Sequence, residues 1–159
     1  MEIKDKELHR VATTAIIHKD GKYLITKRSA HKKHFPNRWT VPGGGLSSDD
    51  YTNLPNKTGE NQWYNALING LRREVKEEVG LEISEPEYLL DLAFVKDDGT
   101  PNLVLSYFSE YISGDVVLDE DATEFKWVGV EELKYFDLIK GIDEEIMMVD
   151  EILKKRKLS

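Results

Sequence analysis

Three glutamates fall close together in a segment whose apolar residues predict an α-helix. Glu74, Glu77 and Glu78 share one arc of about 100° on such a helix, because each residue advances the chain by about 100°. The arc borders the apolar stripe that contains Leu67 and Leu71. Carboxylates held this close repel one another, and a hard divalent cation such as Mg²⁺ removes the repulsion. The spacing therefore predicts a cation-binding helix, with a solvated acidic face as the alternative interpretation.

Neighbouring residues could support such a site. Arg73 lies at the edge of the arc, where it can orient one carboxylate by a charge-assisted hydrogen bond. Gly70 lies one turn earlier, and glycine inside a helix costs about 1 kcal/mol relative to alanine. We therefore expect another backbone to approach there, with Gly43–Gly45 as the approaching segment. The carbonyl of Gly43 is then a candidate metal ligand, and the amide of Gly44 a candidate phosphate donor.

The rest of the chain predicts the elements that must position this helix. Asp20-Gly21 stands between two β-rich runs and predicts a tight hairpin. Gly80 is placed to end the acidic helix in a left-handed conformation. The segment 46–59 is rich in Ser, Asp, Asn, Pro and Gly and predicts an exposed loop. Predicted strands are 11–18, 22–27, 39–45, 88–95, 102–112 and 124–130, and predicted helices are 62–79, 131–133 and 143–155. This order indicates an α/β (α+β) fold with a mixed sheet.

Composition narrows the class of protein further. The chain has 159 residues, 22 Lys+Arg, 30 Asp+Glu and no cysteine, giving a formal net charge of −8. The length favours a single domain over residues 1–159, and the negative charge argues against long nucleic acid as a partner. The lack of cysteine excludes disulfides, thiolate zinc sites and a thiol nucleophile. No apolar run suits a signal peptide or membrane span, so we expect a cytoplasmic protein without a membrane partner.

One family resemblance is carried by residues 73–81, REVKEEVGL. They resemble the second half of the Nudix box, R-E-U-x-E-E-x-G-U with U aliphatic, at every fixed position. Residues 39–44, WTVPGG, resemble the strand that leads into the box, and 125–133 resemble the late strand and short helix of the family. The resemblance covers about residues 10–155 and implies a Nudix-like α/β/α sandwich with a catalytic loop–helix–loop.

The first half of the box departs from the family pattern. The full box is G-x5-E-x7-R-E-U-x-E-E-x-G-U, but Asn65 stands eight residues before Arg73, where the family has glutamate. Roughly fifteen additional residues separate the Pro-Gly-Gly run from the helix, and we place this insertion within 46–62. We expect an extra helical turn at 63–65. Either Asn65 takes the place of the glutamate without its charge, or Glu60 reaches back to it.

The resemblance implies hydrolysis of a nucleoside diphosphate linked to another group X, with Mg²⁺ or Mn²⁺ as cofactor. By position in the motif, Glu77 and Glu78 are the expected principal metal ligands, and Glu74 is either a ligand or the catalytic base. The carbonyl of Gly43 is implied as a further ligand, and Arg73 as a residue of the catalytic set. The metal neutralises phosphate charge and positions water, as phosphoryl transfer requires.

Other contacts are less constrained by the motif. Many members bring another glutamate from a late loop, and here Glu120 and Glu124 are candidates, with Glu124 preferred because it starts a strand. Arg28 is a candidate phosphate ligand or else a sheet-edge cation. The basic loop 31–34 is either a collector of anionic substrate or a solvated loop. Three aromatic residues are candidates for stacking a base, with burial in the core as the alternative: Phe35, Tyr107 and Phe125.

Several functional hypotheses follow from the residues and the resemblance. The favoured substrate is a nucleoside triphosphate, cleaved to monophosphate and pyrophosphate, because the chain is short for an ADP-ribose hydrolase with an added dimerisation domain. An ADP-ribose or nucleotide-sugar hydrolase is one alternative. A catalytically weak nucleotide-binding or regulatory module is another, suggested by Asn65 and the insertion. Isoprenoid diphosphate isomerisation is disfavoured by the lack of cysteine. The oligomeric state is open and compatible with a homodimer.

Overall fold

One mixed β-sheet runs through the protein. The computed structural model describes residues 5–55 and 59–159, and eight strands in this part of the chain join one hydrogen-bonded sheet. The strands are β1 Arg10–Lys19, β2 Lys22–Arg28, β3 Trp39–Thr40, β4 Gly43–Gly45, β5 Glu82–Ile83, β6 Glu87–Val95, β7 Pro101–Ser113 and β8 Ala122–Val128. The helices are α1 Asp49–Thr52, α2 Ala66–Val79 and α3 Ile142–Lys157, with 3₁₀ turns at Asp5–Glu7 and Val130–Tyr135.

The sheet is built around a parallel pair of strands, β1 and β7. Arg10 lies opposite Asn102, and the parallel register continues along both strands. β2 returns antiparallel to β1 through the predicted hairpin, in which Asp20 and Gly21 have φ of 51° and 75°. Two positive φ values in a two-residue loop match the twist of a hairpin. β3 and β8 pair antiparallel with β2, β4 with β1, and β6 with β7. The predicted mixed α/β class is confirmed.

Helices cover both faces of this sheet. Side chains alternate along a strand, so Ala15 and Ile17 pack toward α2 and its Val75, whereas Ile16 packs toward α3 and its Ile146. Each fully buried aliphatic side chain of this kind contributes about 1.5–3 kcal/mol through removal of its surface from water. These two cores fix α2 against the sheet, and with it the acidic arc.

The acidic helix α2 starts later than its sequence pattern predicts. It begins at Ala66, four residues after the expected start, and ends at Val79 as expected. Asn65 has a φ of 61°, in the left-handed region, and therefore cannot extend the helix backwards. The extra helical turn expected before Ala66 is thus absent. Gly80 has a φ of 74° and donates its amide to the carbonyl of Lys76, which is the predicted C-terminal cap.

The segment predicted as a single strand over 39–45 is two short strands. β3 ends at Thr40 and β4 starts at Gly43. Pro42 lies between them and has no amide hydrogen to donate to a ladder. Its carbonyl instead accepts a hydrogen bond from the amide of Ala15 at 2.8 Å. This bond keeps the glycine strand against β1.

The segment predicted as a loop over 46–59 contains the short helix α1. The rings of Tyr51 and Trp63 lie 5.6 Å apart between centroids, and Trp63 Nε1 donates to the carbonyl of Leu54 at 3.0 Å. These contacts hold Trp63, three residues before α2, against Tyr51 of α1 and against the backbone of Leu54. They place α1 beside α2.

Candidate active site

Glu78 is partly buried where α2 passes the glycine strand. Burial raises the pKa of Glu78 to about 8. The amide of Gly43 donates to Oε2 of Glu78 at 3.1 Å and opposes this shift, whereas the nearby acids Glu74, Asp119 and Asp121 add to it. A carboxyl group in this environment carries a proton at neutral pH unless a cation compensates its charge.

Arg73 connects the acidic residues of α2 to α1. Its Nη2 donates to Oε1 of Glu74 at 2.8 Å, and its Nη1 donates to Oε2 of Glu77 at 2.7 Å. Its Nε donates to Oδ1 of Asp50 at 2.5 Å. One guanidinium therefore fixes three carboxylates, and the expected orienting role of Arg73 has a geometric basis.

Asp50 is a site residue that the sequence pattern left undetected. Its side chain is only 4% exposed. Burial alone would raise its pKa, but hydrogen bonds from the Ser47 amide and the Arg73 guanidinium outweigh burial and lower the pKa. Neither Asn65 nor Glu60, the two expected substitutes for the missing glutamate, lines the cavity described below.

Asp50 occupies the position of the first glutamate of the Nudix box, but only a count that runs forward from Gly44 shows this. Asp50 follows Gly44 by six residues, which is the G-x5-E spacing with aspartate in place of glutamate. The insertion therefore follows Asp50 and lies between it and Arg73. Counting backward from Arg73 crosses the insertion and reaches Asn65 instead. The forward count from Gly44 was the signal that could have identified Asp50.

The glycine contacts differ from those expected. An ideal Cβ at Gly70 would meet Oδ2 of Asp50 at 3.3 Å, not the glycine strand. The strand instead approaches α2 at Gly44, where a Cβ would lie 2.5 Å from Cδ of Glu74. The expectation for Gly70 is wrong because α1 lies between that part of the helix and β4. Gly44 thus leaves space for the Glu74 carboxylate.

A cavity of about 780 Å³ opens beside these residues and contains both signs of charge. This volume lies within the about 300–1,000 Å³ of typical small-molecule sites. Glu74 and Glu78 line it, whereas Glu77 does not and is more than half exposed. Gly43 and Gly44 line it from β4. The basic side chains that line the cavity are Arg10, Arg28, His31, Lys32, Lys33, His34 and Lys96.

The late-loop acids that reach the cavity are not the expected ones. Asp119 and Asp121 line it, whereas Glu120 is exposed and Glu124 lies outside it. Glu124 pairs in register with Lys27 and makes an ion pair with its Nζ at 3.6 Å. Because β8 starts at Ala122, position 124 already belongs to the strand, beside Lys27. The structure therefore does not bring Glu124 to the candidate metal site.

Arg28 lies between the acidic and basic parts of the cavity. Its Nε donates to the carbonyl of His34 at 3.0 Å, which orders the basic loop. Burial lowers the pKa of Arg28, and the charges of Glu78 and Asp121 oppose this shift. Asp121 also pairs with Lys32 at 3.0 Å. Arg28 thus lines the cavity between the two groups of charge, and its role as a phosphate ligand stays a prediction.

The three aromatic candidates separate clearly. Phe35 is exposed and lines the cavity. Tyr107 is buried in the core on the α2 side, and Phe125 is partly exposed on β8 outside the cavity. Phe94 of β6 lines the cavity and was not expected from the sequence. Stacking on a base is therefore geometrically open to Phe35 and Phe94.

The acidic donor set fits a hard divalent cation. In residues 5–55 and 59–159, no three His, Asp or Glu side chains form a preassembled metal cage. Arg73 instead holds Glu74 and Glu77. Glu78 is nevertheless partly buried near other acids, and an oxygen-preferring cation would offset the cost of its charge. The residues therefore suit Mg²⁺ or Mn²⁺.

Comparison with known proteins identifies the class of protein that this fold and site define. Residues 8–148 match the family described as the NUDIX domain, and the chain belongs to this family. Together with its relatives, this shows a Nudix pyrophosphohydrolase. Within the described residues, no helix is long and apolar enough to cross a membrane.

Individual relatives agree with this placement. The nucleoside triphosphatase NudI of Enterobacter sp. (strain 638) is 30% identical over 139 residues, covering 81% of this chain and 88% of the relative. NudI of Klebsiella pneumoniae (strain 342) is 26% identical with the same coverage. The crystal structure of the MutT protein from Methanosarcina mazei Go1 has a TM-score of 0.70 at 22% identity and covers 92% of this chain and 96% of that chain. At that identity it shows the fold alone.

We expect Gly44→Ala to lower kcat about a hundredfold, since a misplacement of about 1 Å at a reacting group can have that effect. The added methyl group would displace the Glu74 carboxylate. Gly45→Ala is the matched control on the same strand, because its Cβ would meet only the flexible end of Arg10, 2.6 Å from Nη2. Steady-state kinetics and thermal unfolding of both variants test this. Equal losses in the two variants would show that the Glu74 contact is not responsible.

Proposed function

We propose that this Nudix enzyme hydrolyses a nucleoside triphosphate to the monophosphate and pyrophosphate, with Mg²⁺ or Mn²⁺ as cofactor. The observation that carries the proposal is a single cavity lined by Glu74, Glu78 and the late-loop acids together with basic side chains. A triphosphate can reach carboxylates only with a cation between them, while its remaining charge favours basic partners. The NudI relatives, named as nucleoside triphosphatases, support a triphosphate.

Two carboxylates of α2 are the proposed cation ligands. Glu77 and Glu78, with the carbonyl of Gly43, would hold the cation, which supplies charge neutralisation for the phosphate oxygens when bound. Glu77 can join this set only if it leaves Arg73, to which it is bonded at 2.7 Å. Asp119 and Asp121 replace Glu124 as the proposed late-loop contribution, because they line the cavity.

The remaining roles follow from which groups reach the cavity. Glu74 lines it, and its carboxylate is held by Arg73, so we assign Glu74 as acceptor of the proton from the attacking water. Water adds to a phosphorus, and the P–O bond to the pyrophosphate leaving group breaks. Arg73 does not line the cavity and acts as a positioning residue. Arg28 and the amide of Gly44 are the proposed phosphate contacts.

A substrate panel with product identification tests this proposal. We expect nucleoside triphosphates with Mg²⁺ to yield monophosphate and pyrophosphate in equal amounts, and a chelator to abolish turnover. The panel includes ADP-ribose, nucleotide sugars and isopentenyl diphosphate, analysed by phosphorus NMR. Release of inorganic phosphate and a nucleoside diphosphate would contradict the proposed cleavage. A higher kcat/KM for ADP-ribose than for nucleoside triphosphates would favour the nucleotide-sugar alternative. Tight nucleotide binding without any turnover would favour a regulatory module.

A further inference from the structure

Phe35 holds a large apolar ring at the wall of the cavity. Its side chain lines the cavity and is 49% exposed. It is not among the described residues that form the two hydrophobic cores. A single exposed aromatic residue is ordinary on a protein surface, so its exposure alone assigns it no role. The conformation of its backbone is the observation that points to one.

The backbone of Phe35 has a left-handed conformation that its side chain disfavours. Its φ is 51°, in the region that glycine adopts freely and that a bulky residue rarely enters. Pro36 follows, and a residue before proline favours an extended backbone instead. Among the described residues with a positive φ, all the others are glycine, asparagine or aspartate. Phe35 is therefore the position at which residue type and conformation disagree.

Arg28 holds this conformation in place. Its amide donates to the carbonyl of Arg38 at 2.9 Å, and its carbonyl accepts from the amide of Asn37 at 3.1 Å. Its Nε donates to the carbonyl of His34 at 3.0 Å, on the other side of Phe35. One residue thus fixes the chain both before and after the ring. Strained backbone persists where the surrounding structure over-determines it, and such positions cluster at ligand-binding sites.

The cavity offers both of the environments that a nucleotide needs. Besides its charged side chains, it is lined by the apolar residues Val41, Phe94, Val104 and Ile139. Phosphates suit the charged part, whereas a planar base gains free energy by stacking on an aromatic face. Arg28, the proposed phosphate contact, binds the residue that precedes Phe35. It therefore connects the proposed phosphate site to the segment that presents the ring.

We propose that Phe35 stacks on the base of the bound nucleotide and is a specificity-determining residue of this site. The inference rests on the proposed function, because it takes a nucleotide as the substrate. It explains why a disfavoured backbone conformation is kept for a side chain that adds nothing to either core. Phe94 lines the same cavity from the regular strand β6, where the backbone carries no such cost. The ring of Phe35 should therefore favour binding while its backbone lowers stability.

Kinetics with and without a base in the ligand test the stacking directly. Phe35→Leu keeps an apolar side chain but loses the aromatic face. It should raise KM about tenfold for whichever of ATP, GTP, CTP and UTP has the lowest KM, with kcat within about threefold. The Ki of inorganic tripolyphosphate, a competitor without a base, should not change. Phe125→Leu is the matched control, since Phe125 is 39% exposed outside the cavity, and it should leave every KM unchanged.

The melting temperature gives an independent readout. Phe35→Gly removes the ring together with the conformational penalty, so it should raise the melting temperature by about 1–3 °C while it raises KM. A ring that supports the fold would give the opposite sign. The proposal is overturned by an unchanged KM for all four nucleotides in Phe35→Leu, by an equal change in the tripolyphosphate Ki, or by a lower melting temperature of Phe35→Gly.

Failure of the proposed function would give a different result. If the unmodified protein hydrolyses no nucleoside triphosphate, calorimetry with AMP, GMP, CMP and UMP replaces KM by a Kd, and ribose 5-phosphate becomes the ligand without a base. Loss of Phe35→Leu affinity for the monophosphates alone would then still support the stacking role. An effect of Phe35→Leu that does not depend on the base would contradict only this inference. Absence of binding of all four monophosphates would overturn both.

Discussion

Glu78→Gln should reduce turnover about a thousandfold or more, because loss of several kcal/mol of charge stabilisation at a cation site corresponds to about that factor. The same substitution should make the chelator-treated protein more stable. A carboxyl group whose folded pKa is about 8, against an ordinary value of 4.5, costs stability as the pH rises through that range. Glutamine has no charge to bury, so the cost disappears. The full difference between these two pKa values corresponds to about 4 kcal/mol at pH 8, and we expect a gain of about 2–4 kcal/mol.

Urea unfolding with and without chelator measures the stability effect, and initial rates with Mg²⁺ measure the catalytic effect. Stability of the unmodified, chelated protein should fall from about pH 5 to pH 8, and the Gln variant should lack most of this fall. Glu82→Gln is a suitable control, because Glu82 is exposed just beyond the end of α2. Turnover within tenfold of the unmodified enzyme would contradict the role of Glu78. An unchanged pH dependence would contradict its buried charge.

Asp50→Asn has the second largest expected effect. Asp50 is almost fully buried and holds Arg73, which in turn holds Glu74 and Glu77. Loss of such a supporting contact typically lowers metal affinity or activity about 10–100-fold. We also expect a loss of about 1–3 kcal/mol of stability, since the charge that Arg73 pairs with is lost and the Asn side chain has only one oxygen to accept the two hydrogen bonds from Arg73 and the Ser47 amide. We expect the smaller values of both ranges, because Arg73 keeps its hydrogen bonds to Glu74 and Glu77 and is partly exposed.

Measuring stability at acidic pH shows how much of the Asp50 contribution comes from its charge rather than from its size. A lowered folded pKa contributes stability above the ordinary value of 3.8, and this contribution is lost as the pH falls through the folded pKa. Asp50→Asn should therefore flatten the loss of stability below about pH 4. Asp50→Glu retains the charge and should recover part of the activity. Asp49 is the exposed neighbour of Asp50, so Asp49→Asn is the matched control. It should change neither the activity nor the loss of stability at low pH. Equal effects of the two substitutions would refute the supporting role of Asp50.

Local patterns predicted most of the elements. The Asp20-Gly21 turn, the end of α2 at Gly80 and the apolar row along α2 were all predictable, because each depends on residues within a few positions of one another. The start of α2 was not, because Asn65 adopts a left-handed conformation that its residue type permits but does not require. The short helix α1 was missed for a similar reason, since Asp, Ser and Asn favour loops as well as helix starts.

The sequence alone determined the identity of the acidic arc. Glu74, Glu77 and Glu78 follow a helical period next to an apolar stripe, so any packing of that stripe brings the arc to the edge of the core. Their motif also indicated the family, which comparison confirmed over residues 8–148. A short-range period is fixed by backbone geometry and does not depend on the path of the loops.

Only the tertiary structure decided which distant residues join that arc. Asp50 reaches Arg73 across the insertion, Gly44 rather than Gly70 makes the close approach, and Asp119 and Asp121 reach the cavity where Glu124 was expected. Each of these contacts depends on where a loop returns to the sheet. A shift of one residue on a strand turns a side chain to the other face, and an insertion moves a motif partner by many positions at little entropic cost. Spacing along the chain therefore could not determine the contact of Gly44 or the position of Asp119 and Asp121, and it indicates Asp50 only when residues are counted forward from Gly44.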